Sequence, residues 1–151
     1  MLINQIITGG QTGVDRAAMD FALEYHIQLG GWCPKGRKAE DGIIEKKYPL
    51  RETPSEHYAQ RTKWNVRDAD GAIVITRGTI FGGTAVGVSH AKSLNKPIQI
   101  VDLNKPPAVS AIRQWIQTHE IKNLGIGGPR ESHCLGIYSE AKAFLKELFV
   151  G

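Results

Sequence analysis

Residues 72–102, AIVITRGTIFGGTAVGVSHAKSLNKPIQIVD, decide the fold. AIVIT at 72–76 is an unbroken apolar and β-branched run, the pattern of a central strand covered on both faces. Thr84 to Leu94 reads as a helix, and PIQIVD at 97–102 as a second strand. Strand, helix and strand in that order make a crossover unit, whose two strands run parallel. Between the first strand and the helix lies a loop rich in glycine, from Arg77 to Gly83.

The same rhythm continues on both sides. Upstream, Leu2 to Thr8 reads as a strand, and Asp15 to Tyr25 as a helix with Ala18, Phe21, Ala22 and Tyr25 on one side. Gln28 to Cys33 is a strand stopped by Pro34, and Tyr58 to Arg67 is a helix that Asp68 to Gly71 ends. Downstream come a helix at Pro107 to His119, a strand at Lys122 to Ile126 and a closing helix at Tyr138 to Phe149. Ala141, Phe144, Leu145 and Leu148 face inward on that last helix. The expected fold is α/β: a Rossmann-like doubly wound parallel sheet in three α/β/α layers, one domain spanning 1–151. Residues 34–56 interrupt it with a polar stretch holding three prolines. Ile43, Ile44, Tyr48 and Leu50 give that stretch material to pack, so it reads as an ordered flap.

Composition narrows the function. The 151 residues are 41% hydrophobic and 23% charged, ordinary globular values. No apolar run approaches the roughly 20 residues that cross a bilayer. Two cysteines, Cys33 and Cys134, argue against a disulfide framework and for the cytosol. A net charge of +4 favours an anionic partner, but the cations are scattered and not interleaved with aromatics, which disfavours nucleic acid.

Ligands of open parallel sheets sit beyond the carboxyl ends of the strands, and three glycine-rich loops fall there. The first is TGGQTGVDR, with Gly9, Gly10, Gln11, Thr12, Gly13 and Arg16 as candidate ligand contacts. It matches neither the dinucleotide fingerprint nor a Walker loop. Asp15 reads as a helix cap or first-turn acid, and Arg16 as facing ligand or solvent. The second is TRGTIFGGT, with Arg77, Gly78, Gly82, Gly83 and Thr84. Paired glycines at a helix start expose backbone N–H groups to an anion. Thr84 is an N-cap, a ligand contact or both, and Phe81 a hydrophobic staple or a wall against a flat ring. The third is GIGGPRES, contributing Gly128, Arg130 and Ser132. Three such turns at one edge offer no obvious packing benefit, so together they point to a phosphate. No catalytic or metal site is evident. His26, His57, His90, His119 and His133 lack ligand spacing, both cysteines lack a partner, and Glu40 with Asp41 in the flap reads as solvated or as an acid–base pair.

From 8–22 (TGGQTGVDRAAMDFA) through 30–42 (GGWCPKGRKAEDG), 48–53, 58–71 and 76–87 (TRGTIFGGTAVG) to 127–132, the chain resembles the molybdenum cofactor carrier proteins. These are Rossmann-like relatives of the lonely-guy-type phosphoribohydrolases. The resemblance implies a carrier that stores, protects or delivers molybdenum cofactor, a phosphorylated pterin, for molybdoenzymes, and a homo-oligomer, with a tetramer as the expected assembly. It implies phosphate on the first two loops and pterin under Lys35 to Asp41, including Arg37, near Trp32 or Trp64. The hydrolases resemble P-G-G-x-G-T-x-x-E at the second loop. Here Phe81 precedes the glycines and Ala85 to Val88 follow, so their catalytic glutamate is missing. A nucleotide-binding enzyme or nucleoside-monophosphate hydrolase is the alternative reading.

Overall fold

Residues 2–151 are described in a computed structural model of the chain. In chain order the elements are β1 (Gln5–Ile7), α1 (Val14–Glu24), β2 (Gln28–Gly30), β3 (Trp32–Cys33), β4 (Lys38–Ala39), β5 (Gly42–Ile43) and β6 (Arg51–Glu52). Then follow α2 (Tyr58–Asp68), β7 (Gly71–Thr76), α3 (Gly82–Ser93), β8 (Ile98–Asp102), α4 (Val109–Thr118), β9 (Asn123–Gly127), a 3-10 turn at Glu131–His133 and α5 (Ile137–Phe149). The main sheet has five parallel strands in the order β2-β1-β9-β7-β8. From β1 the chain moves outward to β2, and from β7 it moves outward the other way to β8. Right-handed crossovers therefore put α1 and α3 on opposite faces, which gives the three layers.

The two helical faces are built differently. On one, α1 packs against α5, and α5 against α4. Val14, Ala17, Ala18, Met19, Phe21 and Ala22 of α1 are sealed there with Ile112, Ile116, Ile137, Ala141, Phe144, Leu145 and Leu148. On the other, α2 packs on α3, and of those two helices only Asn65 and Ala91 are buried. Small and polar residues there cannot fill the space above the sheet, and a cleft results.

Several boundaries differ from expectation for local reasons. The Gln28–Cys33 strand breaks at Gly31, whose φ is 128° and whose missing Cβ would collide with the Thr8 carbonyl. Past that bend β3 leaves the main sheet and pairs in parallel with β6. Only Gln5–Ile7 of the Leu2–Thr8 run is paired as strand. Helix α3 begins at Gly82, so Thr84 lies inside its first turn and is not the N-cap. Pro107 precedes α4 by two residues.

The flap is ordered by its own chemistry. Ile44, Tyr48 and Leu50 are buried, but Ile43 is 80% exposed, contrary to expectation, on the small β4–β5 hairpin. Arg37 donates to the carbonyls of Ile44, Glu45, Tyr48 and Leu50 at 2.8–3.0 Å, gathering the flap around one guanidinium.

Candidate functional site

Because β1 and β7 send their chains in opposite directions with β9 between them, their carboxyl ends frame a crevice. The three glycine-rich loops meet there. The cleft starts at this edge and runs between the sheet and the α2–α3 layer. Its mouth is lined by Gln11, Asp15, Arg61, Gly83, Thr84 and Arg130, and its body by Val66, Ala69, Ala72, Val74, Val88 and Ala91. Polar groups converge at one end of an otherwise apolar trough, the usual form of a small-molecule site.

The loops differ in what they leave free. At α1 the first helical N–H is taken by the Pro129 carbonyl (3.3 Å), and Asp15 already places an acid in the first turn. In the third loop the Glu131 N–H is held by Thr12 Oγ1 (3.1 Å) and the Ser132 N–H by Glu40 (3.3 Å). Helix α3 alone of the three has neither a side-chain cap nor a first-turn acid. Its N-terminal amides and positive dipole end face the crevice unopposed.

The glycines divide the same way. A Cβ at Gly10 would lie 2.6 Å from Ile44 of the flap, one at Gly13 would collide with the Pro129 carbonyl, and one at Gly128 with that of Ile75. These three glycines therefore do have a packing reason, contrary to the sequence argument: they let loops and flap approach one another. At Gly78, Gly82 and Gly83 a Cβ would meet nothing within 4 Å. Gly82 needs its φ of 59°, but neither backbone conformation nor protein packing demands glycine at 83.

Beneath the first loop lies a buried ion pair. Arg61 of α2 donates to Asp15 Oδ2 at 3.1 Å, with side chains 11% and 7% exposed. Gln11 N–H reaches the same oxygen at 3.2 Å. The Arg61 guanidinium lies where a Cβ on Gly9 would have to be, so Gly9 makes room for it. Burial pushes the Asp15 carboxyl up, against the pull of Arg61 and of the Gln11 amide. Arg61 Nε and Gln11 Nε2 are buried without a hydrogen-bond partner. Arg61 was not singled out by sequence; Tyr58 and Arg61 stand three residues apart on one face of α2, the available signal. Lys38, Arg61 and Arg130 all stack over the Tyr58 ring at 5.1–5.3 Å, a cationic rim beside the mouth.

Glu40 and Asp41 serve the flap. The Glu40 carboxylate accepts from Thr12 and Ser132, joining flap, first loop and third loop. Desolvation opposes its ionisation, but hydrogen bonds from Ser132 and Thr12 and the charge of Arg130 hold its carboxyl below the usual range. Arg16 forks onto Asp41 at 2.9 and 3.2 Å and also donates to the Gly10 carbonyl. The Arg16 hydrogen bond keeps the Asp41 carboxyl low. Arg37 is used inside the flap, Lys35 is exposed, and Trp32 stacks edge-on with Trp64 outside the cleft lining. Arg77 lines the cleft but pairs with Glu140, while Gly78 N–H is held by Asp102 (3.2 Å). Phe81 stacks at 5.3 Å on His133, both at the mouth beside Cys134. No group of three or more His, Cys, Asp or Glu side chains gathers among the described residues. None of their helices is long and apolar enough to cross a membrane.

Residues 6–149 match the circularly permutated YpsA SLOG family. A crystal structure at 1.45 Å from Syntrophus aciditrophicus SB, named "Putative molybdenum carrier protein", is 42% identical and covers 99% of this chain and 96% of its own, with a TM-score of 0.95. No protein of curated function matches the chain.

Proposed function

The chain belongs to the circularly permutated YpsA SLOG family, and on that premise we propose that it carries molybdenum cofactor and is not an enzyme. The observation behind the proposal is the open N-terminus of α3, aimed at a cleft with a cationic rim and an apolar body. The terminal phosphate of the cofactor rests on the Gly82-Gly83-Thr84 amides, and its ring system enters the trough. Two buried unpartnered donors, on Gln11 and Arg61, fit a polar ligand in that trough. The metal supplies redox chemistry only after delivery; the chain's own residues bind, orient and shield. Free Cys33 and Cys134 suit a reducing compartment, the cytosol. Homotetramerisation and hand-over to molybdoenzymes complete the proposal.

A nucleoside-monophosphate hydrolase is the second reading, favoured by one feature: the Asp15 carboxyl in the cleft, raised by burial. Against it, Asp15 is held by Arg61 and Gln11, and no carboxylate follows the glycine pair. Native mass spectrometry of anaerobically purified protein, titrated with the cofactor and with AMP, separates the two. Saturable cofactor binding with AMP unchanged supports the carrier. Conversion of AMP to adenine and ribose phosphate overturns it.

A further inference from the structure

The floor of the cleft mouth carries a pattern that a phosphate does not satisfy. Asp15 and Arg61 lie there side by side, almost sealed, and neutralise each other. A bare anion would be repelled by Asp15, and a cation by Arg61. What remains unmet is hydrogen bonding. A carboxylate offers about four acceptor positions; Oδ2 of Asp15 takes the Arg61 and Gln11 donors, and the Thr8 hydroxyl, also in the cleft lining, faces the same carboxylate, which leaves about one position open. On the other side of the ledger, Arg61 Nε and Gln11 Nε2 are buried donors with no acceptor. Gln11 is fixed in orientation, since its Oε1 accepts from Thr12 N–H (3.0 Å) and Glu40 N–H (2.8 Å). Its amide NH2 is thus committed to donating.

Two unpartnered donors call for an acceptor with two lone pairs, and the adjacent carboxylate calls for a donor. We propose that this floor reads the lactam edge of a ring, a ring N–H beside a carbonyl oxygen, as in 2-amino-4-oxo heterocycles. The carbonyl takes Arg61 Nε and Gln11 Nε2, and the ring N–H donates to Asp15. A 4-amino ring places an NH2 against those donors and leaves them unpaired. The first loop and the α3 N-terminus are separated by one intervening strand, β9, about 10 Å at two strand spacings. Ring edge and phosphate therefore occupy opposite ends of one mononucleotide-sized ligand. This inference rests on the cleft being the ligand site of the carrier reading.

Calorimetry with two matched pairs tests it: pterin against 2,4-diaminopteridine, and guanosine monophosphate against adenosine monophosphate. The lactam member of each pair, pterin and guanosine monophosphate, is expected to bind at least about 100-fold more tightly. Gln11→Glu keeps the Oε1 acceptor and removes the donor, and is expected to erase that preference; Asp15→Asn does the same from the other side. Equal affinities within both pairs, or no binding by any of the four, overturn the lactam assignment. Cofactor titration of the same protein keeps the two ideas apart. Saturable cofactor binding with equal pairs sinks the lactam reading alone, and a lactam preference without cofactor binding sinks the carrier alone.

Discussion

Asp15 is pushed up by burial, so the folded chain holds that proton more tightly than the unfolded one. Its stabilising contribution is complete below the ordinary value of 3.8 and is lost as pH rises through the higher folded value. Asp15→Asn is expected to flatten that part of the stability profile, measured by urea unfolding from about pH 4 to 7. Arg61→Met should cost about 3–5 kcal/mol at neutral pH, because it leaves a buried carboxylate unpaired. The loss should shrink in acid as Asp15 takes up a proton; a pH-independent loss would mean that packing, not charge, explains it. Tyr138, bonded to Asp20, behaves the same way at alkaline pH. Tyr48 and Tyr138 each donate to that carboxylate at 2.5 Å, and burial, then Asp20, pushes the Tyr138 phenol up to about 12. That contribution is complete below about 10 and is lost as pH climbs through about 12. Ultraviolet titration should show Tyr138 ionising late, and earlier in Asp20→Asn.

Helix α3 trades stability for an open end. Gly83 has room for a Cβ and an ordinary backbone angle, so Gly83→Ala should stabilise the fold by about 0.4–1 kcal/mol through the unfolded chain. The methyl group would crowd whatever rests on the α3 amides, so affinity for the cofactor should fall as thermal stability rises. Gly83→Asp should abolish binding by setting a carboxylate against the phosphate. Unchanged affinity in both variants would exclude this loop as the cradle. The flap answers to a different group. Glu40 is held low, so its contribution is present above the ordinary value of 4.5 and fades as pH falls through the lower folded value. Glu40→Ala should speed tryptic cleavage at exposed Lys46 and Lys47. An unchanged cleavage rate would show that Tyr48 and Arg37 suffice to hold the flap.

Across the molecule, periodic elements were legible from sequence and contacts between distant residues were not. The AIVIT strand and the inward face of α5 follow from local pattern, and they stand where pattern put them. Arg61 was invisible because its meaning comes from Gly9 and Asp15, 52 and 46 positions away in sequence, and no periodicity connects them. The same holds for Glu40, which looked like a solvated flap acid and instead joins Thr12 to Ser132. Loop glycines carried a mixed signal, since chain-on-chain approach and ligand approach both require a missing Cβ.

The place of β9 has a consequence for how the chain is made. It sits between β1 and β7 but comes after β8 in sequence. A nascent chain leaving the ribosome can form two half-sheets, β1 with β2 and β7 with β8, each with a bare inner edge. Neither edge finds its partner until residues near 127 have emerged. Bare parallel edges invite pairing with other chains. The last strand delivered is thus the one that closes the sheet, and released fragments that end before it should aggregate while released chains that carry both β9 and α5 should not.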